Sequence, residues 1–283
     1  MYLLDYQDIE KRYKNSKINE EANGLVFKIL EFAKELKKDS MDFDTFLVDT
    51  INAISEFSKD ISYDMYMQTL LDEMRDSGSI GTPTWTLNKK GTLTIKGNGA
   101  MSDYQLWYSY KNYITTVIIE KEVTDIGNWT FAGYTNLTSI TIPSSVTGIG
   151  DNAFACCKNL ISITIPNSIP NIGRETFAGC SNLTSVIIGN SVISIGDYAF
   201  CDCNNLTSIS IPNNVTDIGK STFNYCINLK HIHLQSEQPP IIEDNTFDGI
   251  DKDTCILHVP SGSKKKYANA EGWREFKNIQ FCS

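Results

Sequence analysis

Eight cysteines and three histidines carry most of the reactive chemistry in this 283-residue chain. Cys157, Cys180, Cys203 and Cys226 recur at a spacing of 23 residues, in a column headed by Tyr134. Equivalent residues in stacked rows sit a strand spacing apart or more, whereas a disulfide needs Cβ atoms about 3.8 Å apart. These four thiols therefore read as small buried hydrophobes. "ACC" at Cys156 and Cys157 and "CDC" at Cys201 and Cys203 have metal-like spacing, but the second cysteine of each belongs to the column. The histidines are His231, His233 and His258. If "HIHL" and "ILHV" are neighbouring strands, all three project from one face. Convergent imidazoles can bind a divalent metal such as zinc; the plainer reading is a titratable aromatic patch that caps the sheet. No carboxylate accompanies them, as a metalloenzyme would require. No Ser/His/Asp set, paired carboxylate or Cys/His pair has positional support, so a non-enzymatic protein without cofactor is expected. "GNG" at 97–99 lacks the following helix and lysine of a phosphate loop, and "KKK" at 264–266 reads as a solvated helix face.

The elements that hold these residues come from a repeat. Rows of 23 residues align Leu137, Leu160, Leu183, Leu206 and Leu229; Ile126, Ile149, Ile172, Ile195 and Ile218; and Gly127, Gly150, Gly173, Gly196 and Gly219. Phe131, Phe154, Phe177, Phe200 and Phe223 form a fourth column. A fixed period in this range with Leu/Ile-rich strands predicts a leucine-rich β-solenoid of about six repeats. "LTSITIP" is a short alternating strand, with Leu137, Ile140 and Ile142 inward and Pro143 ending it. Val146 and Ile149 return to the same core, Gly150 is expected to allow a tight bend, and Phe154 fills the wide outer part of the coil. No row buries its apolar side alone, and stacking makes one core. The "NLT" asparagines Asn136, Asn182 and Asn205 match a glycosylation acceptor, but are read as shaping the turn before each strand through local hydrogen bonds.

The same alternation defines an open face. Thr116, Ile118, Ser139, Thr141, Ser162, Thr164, Ser185, Ile187, Ser208 and Ser210 point outward, and His231, His233 and His258 continue them. This nearly uncharged, hydroxyl-rich sheet is either a solvated β-compatible face or a binding surface for a protein or glycan.

The row pattern "NLTSITIP..VT.IG..AFA.C" resembles the BspA-type leucine-rich repeat family of microbial surface proteins. "WTLNKKGTLTIKGNGAMSDY" at 85–104 is similar to the hairpin entry of such domains, and "ILHVPSGSKKKYANAEGWREFKNI" at 256–279 to their closing segment. The resemblance spans about residues 83–281. It implies a cell-surface or secreted recognition or adhesion protein, with host matrix or surface partners for some members. The expected layout is a hairpin cap at 83–112, repeats at 113–251 and a C-terminal cap at 252–283. Trp85, Leu87, Leu93 and Ile95 cover one open end, with a turn at 88–91, while Trp273 and Phe276 plug the other. Phe247 falls one residue late, as a terminal repeat would.

Residues 1–78 read differently. Leu25, Ile29, Phe32, Ala33 and Leu36 share a helical face, as do Phe43, Phe46, Leu47, Thr50, Ile51, Ile54 and Phe57. Met65, Leu70, Leu71 and Met74 suggest a third helix, giving an acidic all-α N-terminal domain at 1–78 and α+β content overall. "DSGSIGTP" at 76–83 reads as linker, with its boundary residues at 79–82. Residues 1–78 hold 10 Lys and Arg against 17 Asp and Glu, a charge of −7, while 79–283 hold 15 against 17, or −2. The total of −9 argues against nucleic acid. No apolar stretch is long enough to span a bilayer, and "MYLLDYQDIEKRYK" lacks a signal-peptide pattern. The absent signal sets a second expectation, an intracellular scaffold whose N-terminal helices dock a partner. A monomer is expected.

Overall fold

One coil shows how the chain builds the rest. In the strand Ser162–Ile165, Ser162 and Thr164 are exposed while Ile163 and Ile165 are buried. Pro166 follows; it has no amide hydrogen to extend the ladder. The chain turns, contributes the short strand Asn171–Ile172 with Ile172 buried, and swings through a wide outer bend that buries Phe177. Every backbone direction then repeats one coil later. Ser162, Ile163, Thr164 and Ile165 lie opposite Ser185, Val186, Ile187 and Ile188 in parallel register. Asn171 and Ile172 lie opposite Ser194 and Ile195. Like residues stack on like because the pairing offset equals the sequence period.

The computed structural model describes residues 76–79, 83–101 and 107–282, which all fall within one unit, Met74–Ser283. Strands on the open face run in order from Thr92–Lys96 through Thr116–Ile119, Ser139–Thr141, Ser162–Ile165, Ser185–Ile188, Ser208–Ile211, His231–Leu234 and Ile256–Val259 to Asn278–Phe281. This is a leucine-rich β-solenoid of about 8 turns, the regular repeats being flanked by irregular ones. Among the described residues no helix is long and apolar enough to cross a membrane. The helical faces expected between Leu25 and Met74 lie outside the described residues.

The core is a single continuous cluster from Trp85 to Ile279. Its spine is a file of parallel rings. Phe131, Phe154, Phe177, Phe200, Phe223 and Phe247 stack with centroids 5.3–5.6 Å apart and interplanar angles of 3–11°. Phe247 keeps its place despite the extra residue. Ile140 and Ile142, expected to be inward, are only partly buried.

Backbone bonds between coils lock the outer bend. The Phe131 amide donates to the Ala153 carbonyl, Phe154 to Thr176, Phe177 to Ala199 and Phe200 to Thr222, all at 2.8–2.9 Å. To make these bonds the bend uses two left-handed residues per coil. One set is Trp129, Asn152, Glu175, Tyr198, Ser221 and Asn245; the other includes Gly133, Cys156, Gly179, Asp202, Tyr225 and Gly249. Most of the non-glycine members are types that rarely adopt this conformation.

Glycine in the column of Gly150, Gly173, Gly196 and Gly219 has a different role from the one expected. None of these four has positive φ. A Cβ at Gly196 would lie 2.9 Å from the carbonyl carbon of Gly173 and 3.0 Å from the Arg174 nitrogen. The glycines are needed because adjacent coils approach too closely there for any side chain.

Both ends are covered. Thr84–Leu87 and Thr92–Lys96 form an antiparallel hairpin with Trp85 opposite Ile95 and Leu87 opposite Leu93. Its turn is held by Asn88, whose Oδ1 accepts from the amides of Lys90 and Thr92. Asp76–Ser79, read from sequence as linker, forms a further strand antiparallel to Thr84–Leu87. At the other end a helix, Lys264–Asn269, and a 3₁₀ turn, Trp273–Glu275, bury Tyr267 and Trp273. The Trp273 indole donates to the Pro240 carbonyl at 2.8 Å, and its ring lies 5.1 Å from Phe247. Asn278–Phe281 then adds a last parallel strand beside Ile256–Val259.

Candidate functional site

The open face consists of two outward columns produced by strand alternation. The first runs Thr116, Ser139, Ser162, Ser185, Ser208 and His231; the second runs Ile118, Thr141, Thr164, Ile187, Ser210, His233 and His258. Ser139, Thr141, Ser162, Thr164, Ser185 and Ile187 are exposed, while Thr116, Ser208, Ser210 and the three histidines are half-buried. Ile118 and Ile187 are 39% and 60% exposed, so the face carries two isolated apolar points in a field of hydroxyls. The hydroxyls make few bonds to one another: Ser139 reaches Thr116 at 3.5 Å, and Gln235 donates to Ser210 at 3.2 Å. The sequence placed all of these residues on one face, and the structure brings them together there.

The histidines cluster at the C-terminal end of this face. His233 lies opposite His258 in the register, and their rings stack with centroids 4.2 Å apart at 8°. His231 reaches across instead, its Nδ1 3.0 Å from His258 Nε2. Partial burial and the neighbouring imidazoles lower the pKa of both His233 and His258, because a second charge there is costly. The three rings do not converge on a point. Among the described residues no group of three His, Cys, Asp or Glu side chains is arranged to hold a metal.

The cysteine column lies in the core. Cys157, Cys180, Cys203 and Cys226 are free and buried. Each thiol points to a carbonyl of the preceding coil: Phe131, Phe154, Phe177 and Phe200, at 3.1–3.3 Å. Burial pushes Cys180 and Cys226 up to about 12 and holds Cys157 and Cys203 well above the ordinary thiol range. These thiols are inert weak donors that satisfy carbonyls. Sequence reasoning missed that bond, because spacing reveals a column but not which atom it faces.

The asparagine column also differs from expectation. Asn182 donates to Asn159 Oδ1 and Asn205 to Asn182 Oδ1, each at 3.1 Å. Asn136 donates to the Asn112 carbonyl and Asn228 to the Asn204 carbonyl. These bonds join coil to coil rather than closing a local turn. The period itself was the signal, since identical amides in stacked rows can pair as donor and acceptor.

A model of the BspA type Leucine rich repeat region matches residues 104–230 and 171–270, with 6 copies. The chain belongs to the BspA-type leucine-rich repeat family. Among solved structures, this BspA-type chain is similar to a leucine rich cell surface protein from Faecalibacterium prausnitzii, at 27% identity over 61% of this chain and 58% of that one, with TM-score 0.40. It is likewise similar to a leucine-rich repeat protein from Bacteroides ovatus, at 26% identity over 65% and 56%, TM-score 0.43. A third is the T. pallidum Leucine Rich Repeat protein, at 20% identity over 65% and 86%, TM-score 0.43. The BspA-type chain thus spans 58% and 56% of the lengths of the first two. A comparison with curated proteins found no match.

Proposed function

We propose that this protein is a non-enzymatic recognition module whose open strand face binds a protein or glycan partner, in the manner of a surface adhesin. The observation that carries this reading is the face itself: Ser139, Thr141, Ser162, Thr164 and Ser185 are exposed with few internal bonds, and Ile187 stands out among them. Exposed hydroxyls with spare hydrogen-bonding capacity can accept and donate to a ligand, and an isolated exposed isoleucine supplies an apolar anchor. A rigid stacked scaffold loses little conformational freedom on binding, so weak contacts spread along the face can add up. Neither a catalytic residue nor a cofactor enters this reading, and one copy presents the whole face.

The protein partner is favoured over the glycan. Sugars bind best against flat aromatic faces, and the only rings in the two outward columns are the three histidines at one end. The test uses the full chain immobilised against matrix and cell-surface proteins, alongside a glycan array. Binding to a protein should fall when Ile187→Asp and Thr164→Arg are introduced and should persist in Tyr225→Ser, whose exposed ring belongs to the outer bend. Unchanged binding in the two face variants would place recognition elsewhere, including the acidic N-terminal region.

A further inference from the structure

His231 and His258 face each other through one nitrogen apiece, Nδ1 and Nε2, at 3.0 Å. Two ring nitrogens this close share a single proton, and a metal ion can replace that proton. The separation also bears on which ion fits. Two nitrogens bound at about 2.0–2.1 Å sit about 2.9 Å apart when they subtend a right angle, but about 3.3 Å apart at the tetrahedral angle. The observed 3.0 Å is the length of an N–H···N hydrogen bond and also lies nearer the right-angle bite than the tetrahedral one; imidazole pairs suit copper and nickel in tetragonal geometry. His233 is not a third ligand. Its ring lies nearly parallel to that of His258, 8° apart at 4.2 Å, so it forms a wall that holds His258 in orientation.

The neighbours permit a cation. Ser208 and Ser210 lie opposite His231 and His233 on one flanking strand. On the other side Ile256 is opposite His231, and Asn278 and Gln280 follow on the last strand. None of these carries charge, and the imidazoles are half-buried rather than sealed, leaving room for water to complete the coordination.

We propose that His231 and His258 form a two-imidazole chelate for a divalent ion of tetragonal preference, copper(II) or nickel(II), at the C-terminal end of the open face, with His233 as a positioning residue. Metal would then cross-brace two adjacent coils through side chains.

The test titrates the metal-stripped 283-residue chain, its exposed thiols Cys156 and Cys282 first blocked with iodoacetamide, with copper(II) sulfate and nickel(II) chloride by calorimetry at pH 7.5, and records the electron paramagnetic resonance of the copper form. One site with two equatorial imidazole nitrogens is expected. His231→Ala and His258→Ala should each weaken binding by about tenfold or more, since even loss of groups that merely support a ligand costs that much. His233→Ala should change it by less than either. His258→Gln, checked for native circular dichroism, guards against loss of folding in the alanine variants. Undiminished binding in His231→Ala and His258→Ala, or fewer than two imidazole nitrogens in the spectrum, overturns the proposal. Equal loss in all three variants would show a three-ligand centre and overturn the two-imidazole assignment.

Discussion

At the residue scale, types were legible where burial alone selects them. Phe177, Leu160 and Ile172 announce themselves because a core position tolerates only apolar residues, and all are buried as expected. What a polar or small residue does there depends on which atom faces it, and sequence does not encode that directly. Gly150 reads from sequence as a bend but serves close approach, since both reasons demand the same residue. The cysteine column was correctly placed in the core, yet its thiol–carbonyl bonds were invisible. A labelling experiment follows from those thiols. Iodoacetamide at pH 8.5 should modify the exposed Cys156 and Cys282 quickly. Cys157, Cys180, Cys203 and Cys226 should react only after unfolding, being both buried and held protonated. Peptide mass spectrometry with and without denaturant checks it, and rapid native labelling of Cys180 would contradict the core placement.

At the element scale, strands were legible from alternation, but the outer bend was not. Trp129, Glu175, Tyr198 and Tyr225 take left-handed conformations that their types disfavour. Bonds to the next coil impose them, as tertiary context overrides local preference. The same override makes a strand of Asp76–Ser79, whose composition reads as linker, because Thr84–Leu87 offers a partner edge. The histidine cluster was legible as a cluster because register follows from the period. Its pairing was not, because ring orientation depends on packing. Two variants test the element. Phe177→Ala removes one ring from the file and should cost about 3–5 kcal/mol. Gly196→Ala, though allowed by its φ, should cost about 1–3 kcal/mol because its methyl group meets the backbone of the preceding coil. Denaturant unfolding measures both, and a neutral Gly196→Ala would show that the coils can part without penalty.

At the scale of the whole molecule, stability is a sum over neighbours. Each coil touches mainly the one before and the one after, so no single long-range closure holds the fold. Excision of Asn159 through Ser181, one full period, should therefore leave a folded and shorter protein with a lower unfolding midpoint and a smaller denaturant slope. Excision of Asn159 through Ile169 should abolish cooperative unfolding, since it removes one core strand and sets Asn171, Arg174 and Thr176 at the inward positions of Leu160, Ile163 and Ile165. Circular dichroism and small-angle scattering distinguish the two. An equal outcome for both deletions would mean that register is not what specifies the fold.

The unbroken file of rings from Phe131 to Phe247 also bears on how such a chain changes through time. Because each interior ring stacks on the ring before and the ring after it, a duplicated or lost unit inside the gene slides into place without renegotiating the rest. The length of the molecule, and so the reach of its grip, is free to drift among descendants while its cross-section stays fixed.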